Sequence, residues 1–491
     1  MSINKNIYEK LIKCADQKGV YLVIRCQENK SRFLNCKNKK IDESSLVESK
    51  GTGIQAFQKT GHMGFSSVDT VSNEDRLFEC LDQAISSSDV AKNNFEPVKE
   101  IFNLKPVQDK IVDKLEGNPF KVSQSKLQKD LFKIHNDFIS KYPNESISNS
   151  VAFNDTNWRV FRSDKTDIRF ELIYSFLNIY MHTGRDSEVN QIYENIHGKG
   201  YNLLHDEKKV RRLKRRIRFM YNLIKRYSKA DRLKGGKYPL LIDSEIAGVF
   251  VHEAFGHTAE SDNFYSDSPL LKNGQIDKGK KVANSYVNVF DYAGKEDFAY
   301  FPYSGYGVKR TKAEIVKNGK VYNLLSDVIT AKKTSSDLTG ASRMESYSDI
   351  PVPRMSSTQI ELDNRHTIKL GFNHLITDIK MIQKVLRDKG IFKKYPEIIY
   401  LIGSRGGQVD QQKGNFQFGS IASVKLEEDK ITYLKPLIFS GVTLEALRSA
   451  ELAFGKKYTS IGVCGKSGQS VNVSKKAPLI LLSPNKFITV S

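Results

Sequence analysis

Two histidines and a glutamate share one short stretch, Val249-Phe250-Val251-His252-Glu253-Ala254-Phe255-Gly256-His257-Thr258-Ala259-Glu260, behind an apolar run. Polar side chains set in apolar sequence are costly to bury unless something binds them. Imidazole nitrogen is a good zinc ligand, and a catalytic zinc keeps one position open for water. The ion lowers the pKa of that water to about 7. A carboxylate beside it can take the proton and pass it to a leaving amine. His252-Glu253-x-x-x-His257 offers two ligands and such a carboxylate, so Glu253 is the expected general base and metal-assisted hydrolysis the expected chemistry.

The spacing is unusual. H-E-x-x-H places its histidines four apart, about 40° around a helix, whereas five apart is about 140°. An ideal helix cannot aim both His252 and His257 at one ion. The sequence therefore calls either for a widened turn or for a helix that stops at Gly256 with His257 swinging in from the cap. A third ligand must come from elsewhere, and His366, His374, Glu260 and Cys464 are the candidates. Cys464 lies in Ile461-Gly462-Val463-Cys464-Gly465-Lys466-Ser467-Gly468-Gln469-Ser470, where glycines let a thiol approach a metal from a tight loop. It would complete a His₂Cys set. Arg343 and Tyr347 are candidates for stabilising a tetrahedral oxyanion. Glu260 and Asp262 are candidates for orienting a ligand imidazole, and Gln408 and Asp410 for contacting a substrate backbone.

These residues need a frame. Asn4 to Lys18 reads as a helix, Val20–Cys26 as a strand, and Gly51–Phe57 with His62–Val68 as a hairpin. Leucines and isoleucines at helical spacing mark Glu74–Ser87 and Leu127–Ser140. The segment 90–125 contains Pro97, Pro106 and Pro119 and reads as an extended connection. Ser150–Asn154 and Ile168–Tyr180 read as strands, with Trp158 packed in their sheet. Past Gly235-Gly236, Tyr238–Ile242 forms a strand and Asp243-Ser244 caps the helix that carries the histidines. A strand-rich region follows. Asn318-Gly319 marks a tight hairpin between Ala313–Val316 and Val321–Leu324. Ile421–Leu426 pairs with Lys430–Leu434, while His366–Leu386 and Thr443–Phe454 look helical. The expected class is α+β: a mixed N-terminal α/β-layer domain over 1–235 and a strand-rich domain over 236–491 bearing the metal helix.

With 39% hydrophobic residues, the chain has the composition of a globular protein. No window approaches the roughly 18–20 apolar residues of a membrane span. Met1-Ser2-Ile3-Asn4-Lys5-Asn6 lacks the apolar core of a signal peptide, so a cytoplasmic location is expected. Five cysteines include no CxxC pair, which makes buried free thiols the expectation for the first four. Of the net charge of +21, Lys208 to Lys237 contributes +13, from fourteen Lys/Arg less Asp231. Val210, Leu213, Ile217, Tyr221 and Ile224 recur at helical spacing within that segment, so the basic residues occupy the other faces of a helix. An alternative function follows from it, that of a nucleic-acid-associated regulator. No aromatic-interleaved basic groove accompanies the segment, and nucleic acid is not the expected partner.

Several blocks together resemble the TldD/PmbA family, once called modulators of DNA gyrase and understood as metalloproteases. They are His252-Glu253-Ala254-Phe255-Gly256-His257 with Glu260 and Asp262; Thr339-Gly340-Ala341-Ser342-Arg343-Met344-Glu345-Ser346-Tyr347 leading to Pro351-Val352-Pro353-Arg354-Met355; Gly406-Gly407-Gln408-Val409-Asp410; and Val463 to Ser470. The match is to the TldD branch, which keeps the metal motif. The resemblance implies zinc, one ion per chain, held by His252, His257 and Cys464, with Glu253 as the catalytic carboxylate. It implies peptide substrates, unfolded or small, including precursors of ribosomally made peptide antibiotics. It also implies a two-subunit particle, either with a PmbA (TldE)-type partner or as a homodimer.

Overall fold

The computed structural model describes residues 3–91, 96–184, 190–227, 230–265, 268–410 and 412–491. It is a mixed fold of two large sheets with helices packed against them. The first sheet has seven strands. Met63–Val68, Lys40–Gln58, Val20–Lys37, Ser146–Arg162, Asp167–Thr183 and Gln108–Ile111 follow one another across it, and Asn190–Gly198 also pairs with Asp167–Thr183. Helices Lys5–Gln17 and Glu74–Ala91 bury Leu11, Leu77 and Leu81 with Leu22, Ile24 and Ile54 of the strands. Trp158 is 1% exposed in this sheet.

Two strands are far longer than their apolar cores. Val20–Lys37 pairs with Lys40–Gln58 over almost its full length. Residues 42–44 and 46–50 of that hairpin are exposed and polar apart from Leu46 and Val47, so cross-strand pairing rather than apolar alternation makes them strand. The segment 90–125 is more ordered than its prolines suggest: Glu100–Asn103 forms a 3-10 turn, and Gln108–Ile111 adds in parallel to Asp167–Phe170.

The second sheet has thirteen strands and frames the histidines. Leu240–Ile242 lies between Gln469–Leu482, antiparallel to it, and Glu397–Val409, parallel to it. Both expected hairpins form with shorter arms: at Asn318-Gly319 the return strand is only Lys320–Val321, and the second pairs Ser423–Leu426 with Ile431–Leu434. Two helices are shorter than their periodicity implies. Asp378 caps a helix that runs only over Ile379–Asp388, because its carboxylate takes the Lys380 amide. The helix from Thr443 stops at Arg448, and Ala450 to Phe454 instead join a strand opposite Leu479–Leu482. Helix Glu207–Tyr227 sends Leu213, Ile217, Met220 and Leu223 into a core that also contains Leu131 and Val151 of the first half and Leu241, Tyr400 and Leu479 of the second. The basic helix thus sits on a core common to both halves.

Candidate metal centre

Strand Leu240–Ile242 ends in Asp243, whose Oδ1 accepts from the amides of Glu245 and Ile246, 3.0 Å each, to start helix Ser244–Val251. Ile246, Ala247, Val249 and Phe250 bury that helix, and Phe250 packs on Phe416, Phe418 and Phe439. At His252 the helix widens. Residues His252–Gly256 form a π turn, and the His257 amide donates to the His252 carbonyl five residues before it. The five-residue spacing that an α-helix cannot use is one full turn here, and the two imidazole centroids lie 5.2 Å apart. Gly256 makes the turn possible by close approach: a Cβ there would fall 1.8 Å from Met355 Sδ.

Cys464 arrives from the opposite direction. Strands Ala450–Lys466 and Gln469–Leu482 form a hairpin closed by Ser467-Gly468, both with positive φ, and Cys464 pairs with Val471 near its tip. Its Sγ lies 3.4 Å from His257 Nε2. His252, His257 and Cys464 are 3%, 7% and 6% exposed. One ligand atom from each falls within 4.8 Å of the others. Buried His252 Nδ1 has no hydrogen-bond partner, and burial holds that ring well below the usual histidine range, hence neutral. An orphaned neutral imidazole beside a second imidazole and a thiol is a donor set that fits zinc. His366 instead stacks on Tyr286, and His374 bonds Ser244 Oγ at 2.8 Å, so neither joins the cluster.

A charged frame surrounds these ligands. Glu260 Oε2 lies 3.2 Å from His257 Nδ1, which leaves Nε2 facing Cys464. Lys466 Nζ ties Glu260 at 3.0 Å to Asp262 at 2.7 Å and donates to the Pro353 carbonyl. Fully buried Arg354 donates to the carbonyls of Cys464 and Gln469 and so fixes the hairpin tip. In the metal-free chain, burial opposes charge on His257, but Glu260 and Cys464 outweigh it and hold the imidazole up to about 10. Burial raises the Cys464 thiol, and His257 more than reverses that, so its pKa falls. Ligands in that state must release a proton to bind metal. Glu253 Oε2 stands 3.8 Å from His257 Nε2. Burial raises its carboxyl above the usual range, with His257 and Lys475 pulling the other way.

The remaining expected residues lie apart from this cluster. Arg343 is buried, and its Nη1 donates to the carbonyls of Met355 and Asn472, 2.7 Å each, as a strap between segments. The Tyr347 ring lies over Gly51, where a Cβ would be 2.2 Å from its Cζ. Gln408 and Asp410 line a trough with Phe416, Gln417 and Ser440. A cleft of about 490 Å³ runs beside the metal helix, walled by Glu194, Glu245, Val249, Tyr458, Ser460 and Lys475 among others. Lys466, Arg354 and Lys475 were missed by the sequence reading, although Lys466 and Arg354 stand inside quoted blocks, beside residues that were singled out. The basic helix also holds a surprise. Arg216 points inward, its Nε 2.9 Å from Glu194 Oε1, its Nη2 2.8 Å from Glu245 Oε2 and 3.6 Å from Asp243 Oδ2. Lys214 and Lys225 pair with Asp137 and Glu145.

Known proteins resemble this chain over most of its length. The model for the PmbA/TldA metallopeptidase C-terminal domain matches residues 235–485, and that for PmbA/TldA metallopeptidase domain 1 matches residues 22–88. A metalloprotease of Methanocaldococcus jannaschii is 30% identical over 480 residues, 96% of this chain and 97% of that one. A zinc metalloprotease TldD homolog of Saccharolobus solfataricus is 27% identical over 252 residues, 50% of each chain. The structure of TldE from Thermococcus kodakarensis superposes with a TM-score of 0.71 at 17% identity, covering 97% of this chain and 100% of that one. With a relative matched over nearly its whole length and a domain model covering half the sequence, the chain belongs to the PmbA/TldD family of metallopeptidases.

Proposed function

We propose that this protein is a zinc-dependent peptidase of the TldD type, in which His252, His257 and Cys464 hold the ion and Glu253 is the general base. The observation that carries the reading is the π turn, which brings two histidines spaced five apart to one thiol from 207 residues further on. A zinc ion in this set supplies Lewis acidity, acidifying water and polarising a carbonyl. The chain's own residues do the rest. Glu260 presents the His257 ring with Nε2 toward Cys464. Glu253, on the same widened turn, takes the proton from water and returns it to the departing amine; its raised pKa makes the carboxylate a stronger base for the first half of that exchange.

The substrate is a peptide in extended form. From Tyr458 to Lys466 the outer edge of strand Ala450–Lys466 bears no partner strand among the described residues. A peptide that adds there gains main-chain hydrogen bonds and little side-chain selection, which suits unfolded or small peptides such as the precursor of a peptide antibiotic. The active particle is a pair of subunits, with a TldE-like partner or a second copy of this chain, and native mass measurement separates the two. No described helix is long and apolar enough to cross a membrane. The reading is tested by Glu253→Gln in the zinc-loaded protein. Zinc stoichiometry is expected to stay at one while peptide cleavage falls at least about 100-fold; retained cleavage overturns the mechanism.

A further inference from the structure

Lys475 is a cation without a partner in a place where one is hard to explain structurally. Its backbone joins the strand ladder, but among the described residues its Nζ makes no hydrogen bond and no ion pair. Burial lowers its pKa from the usual lysine value, and Glu253, then Cys464 and Glu245, pull the other way. The hairpin register explains where it points. Ser460 pairs with Lys475, Gly462 with Val473 and Cys464 with Val471, so these six positions share one face of the two strands. That face turns to the metal helix, since a Cβ on Gly248 would sit 3.4 Å from Lys475 Cγ and 3.6 Å from Ser460 Oγ. Between Cys464 and the Ser460–Lys475 pair stands Gly462, where an added Cβ would meet nothing within 4 Å. The face therefore carries the candidate metal thiol, then open space, then a lysine that lines the cleft.

We propose that Lys475 is the catalytic residue that stabilises the oxyanion of the attacked peptide carbonyl. This rests on the peptidase reading above. Neither Arg343 nor Tyr347 is free for the role, since the first is bonded to two carbonyls and the second lies over the N-terminal sheet. As the water oxygen bonds to the carbonyl carbon, the C=O π pair moves onto oxygen, and Lys475 Nζ–H donates to that anionic oxygen. Glu253 meanwhile holds the proton taken from water. The electron pair then returns, the C–N bond breaks, and Glu253 delivers the proton to the departing amine. An amine whose N–H groups are not already given to a carboxylate is suited to this task, because they remain free to donate to charge that develops during reaction.

The test uses Lys475→Met and Lys475→Arg in the zinc-loaded full chain. Lys475→Met is expected to lower kcat about 100-fold, the usual effect of deleting one oxyanion donor, with KM within about twofold and zinc content unchanged. Affinity for a phosphinic peptide, whose anionic tetrahedral group mimics that state, should fall in parallel, and Lys475→Arg should restore part of both. Because the substitution removes a half-buried ammonium that makes no ion pair, the variant should unfold no more easily than the parent. Full activity in Lys475→Met overturns this inference alone. So does a rise in KM confined to peptides with a free C-terminal carboxylate, which would make Lys475 a carboxylate anchor instead. A wild-type chain that neither cleaves peptides nor binds the phosphinate overturns the peptidase reading and this inference with it.

Discussion

Replacing Gly256 with alanine should damage the metal centre through packing alone. The added Cβ would lie 1.8 Å from Met355 Sδ, 3.0 Å from Met355 Cγ and 3.1 Å from Thr358 Oγ1. Ordinary carbon–sulfur contact is near 4 Å, so one partner must give way by about 2 Å. Met355 is fully buried, and its carbonyl is held by Arg343, so its backbone does not retreat. Either its side chain takes a strained rotamer against a filled core, or the π turn moves outward and takes His257 with it. Overpacking of this kind destabilises by about 1–3 kcal/mol. Zinc ligand distances tolerate about 0.2 Å, so a fraction of that movement should weaken zinc at least about tenfold. Urea unfolding of the metal-free chain and zinc competition against a chromophoric chelator read the two effects. Met355→Ala alone leaves a cavity and should destabilise by about 2–5 kcal/mol, but with Gly256→Ala the new methyl occupies part of that space. The double variant should therefore be more stable than the sum of the singles by about 1 kcal/mol or more, with zinc affinity partly restored. Strict additivity, or unchanged zinc affinity in Gly256→Ala, would refute the argument.

Two further expectations concern buried charge. Lys466→Met leaves Glu260 and Asp262 facing one another without their shared ammonium, and loss of one partner from a buried pair should cost about 3 kcal/mol in urea unfolding; a loss below about 1 kcal/mol would contradict it. Around Arg216, three carboxylates meet one guanidinium, and burial followed by Glu245 push Glu194 up to about 8 from 4.5 against the pull of Arg216. An acid raised on folding holds its proton more tightly in the native state, so its contribution to stability shrinks as pH rises from about 4.5 to about 8. Glu194→Gln removes that titration and should gain stability relative to the parent between pH 5 and pH 8; parallel profiles would show that Glu194 does not titrate there.

Much of the centre was legible because its constraint is angular. A spacing of five between two histidines is incompatible with both facing one ion from an ideal helix, and that mismatch alone calls for a widened turn or a break at Gly256. Cys464 was one of four candidate third ligands by residue type; the resemblance of its block singled it out, and the hairpin register is what carries it back over 207 residues. Lys466, Arg354 and Lys475 were invisible for a related reason: a lysine or arginine outside a recognised pattern looks solvated until the segment it packs against is known. Arg216 shows the same limit on a helix, where its apolar neighbours announced the buried face but not that a guanidinium shares it. At the level of elements, the helix Thr443–Arg448 and the strand that follows have apolar residues compatible with either period, and pairing with Leu479–Leu482 decides.

The chain distance between His257 and Cys464 has a consequence for how the molecule holds together. An ion bound to both would close a loop of 207 residues. In the chain-entropy account, a cross-link of that span removes freedom from the unfolded ensemble worth about 5 kcal/mol. That is comparable with the whole stability of many domains. The ion would then act as a rivet across the second half of the fold as well as a reagent. A chelator would loosen the unfolded chain's tether even where the ligands, kept in register by Glu260, Lys466 and Arg354, stay in place. Resistance to unfolding and catalytic competence would be lost at the same step, though for unrelated reasons.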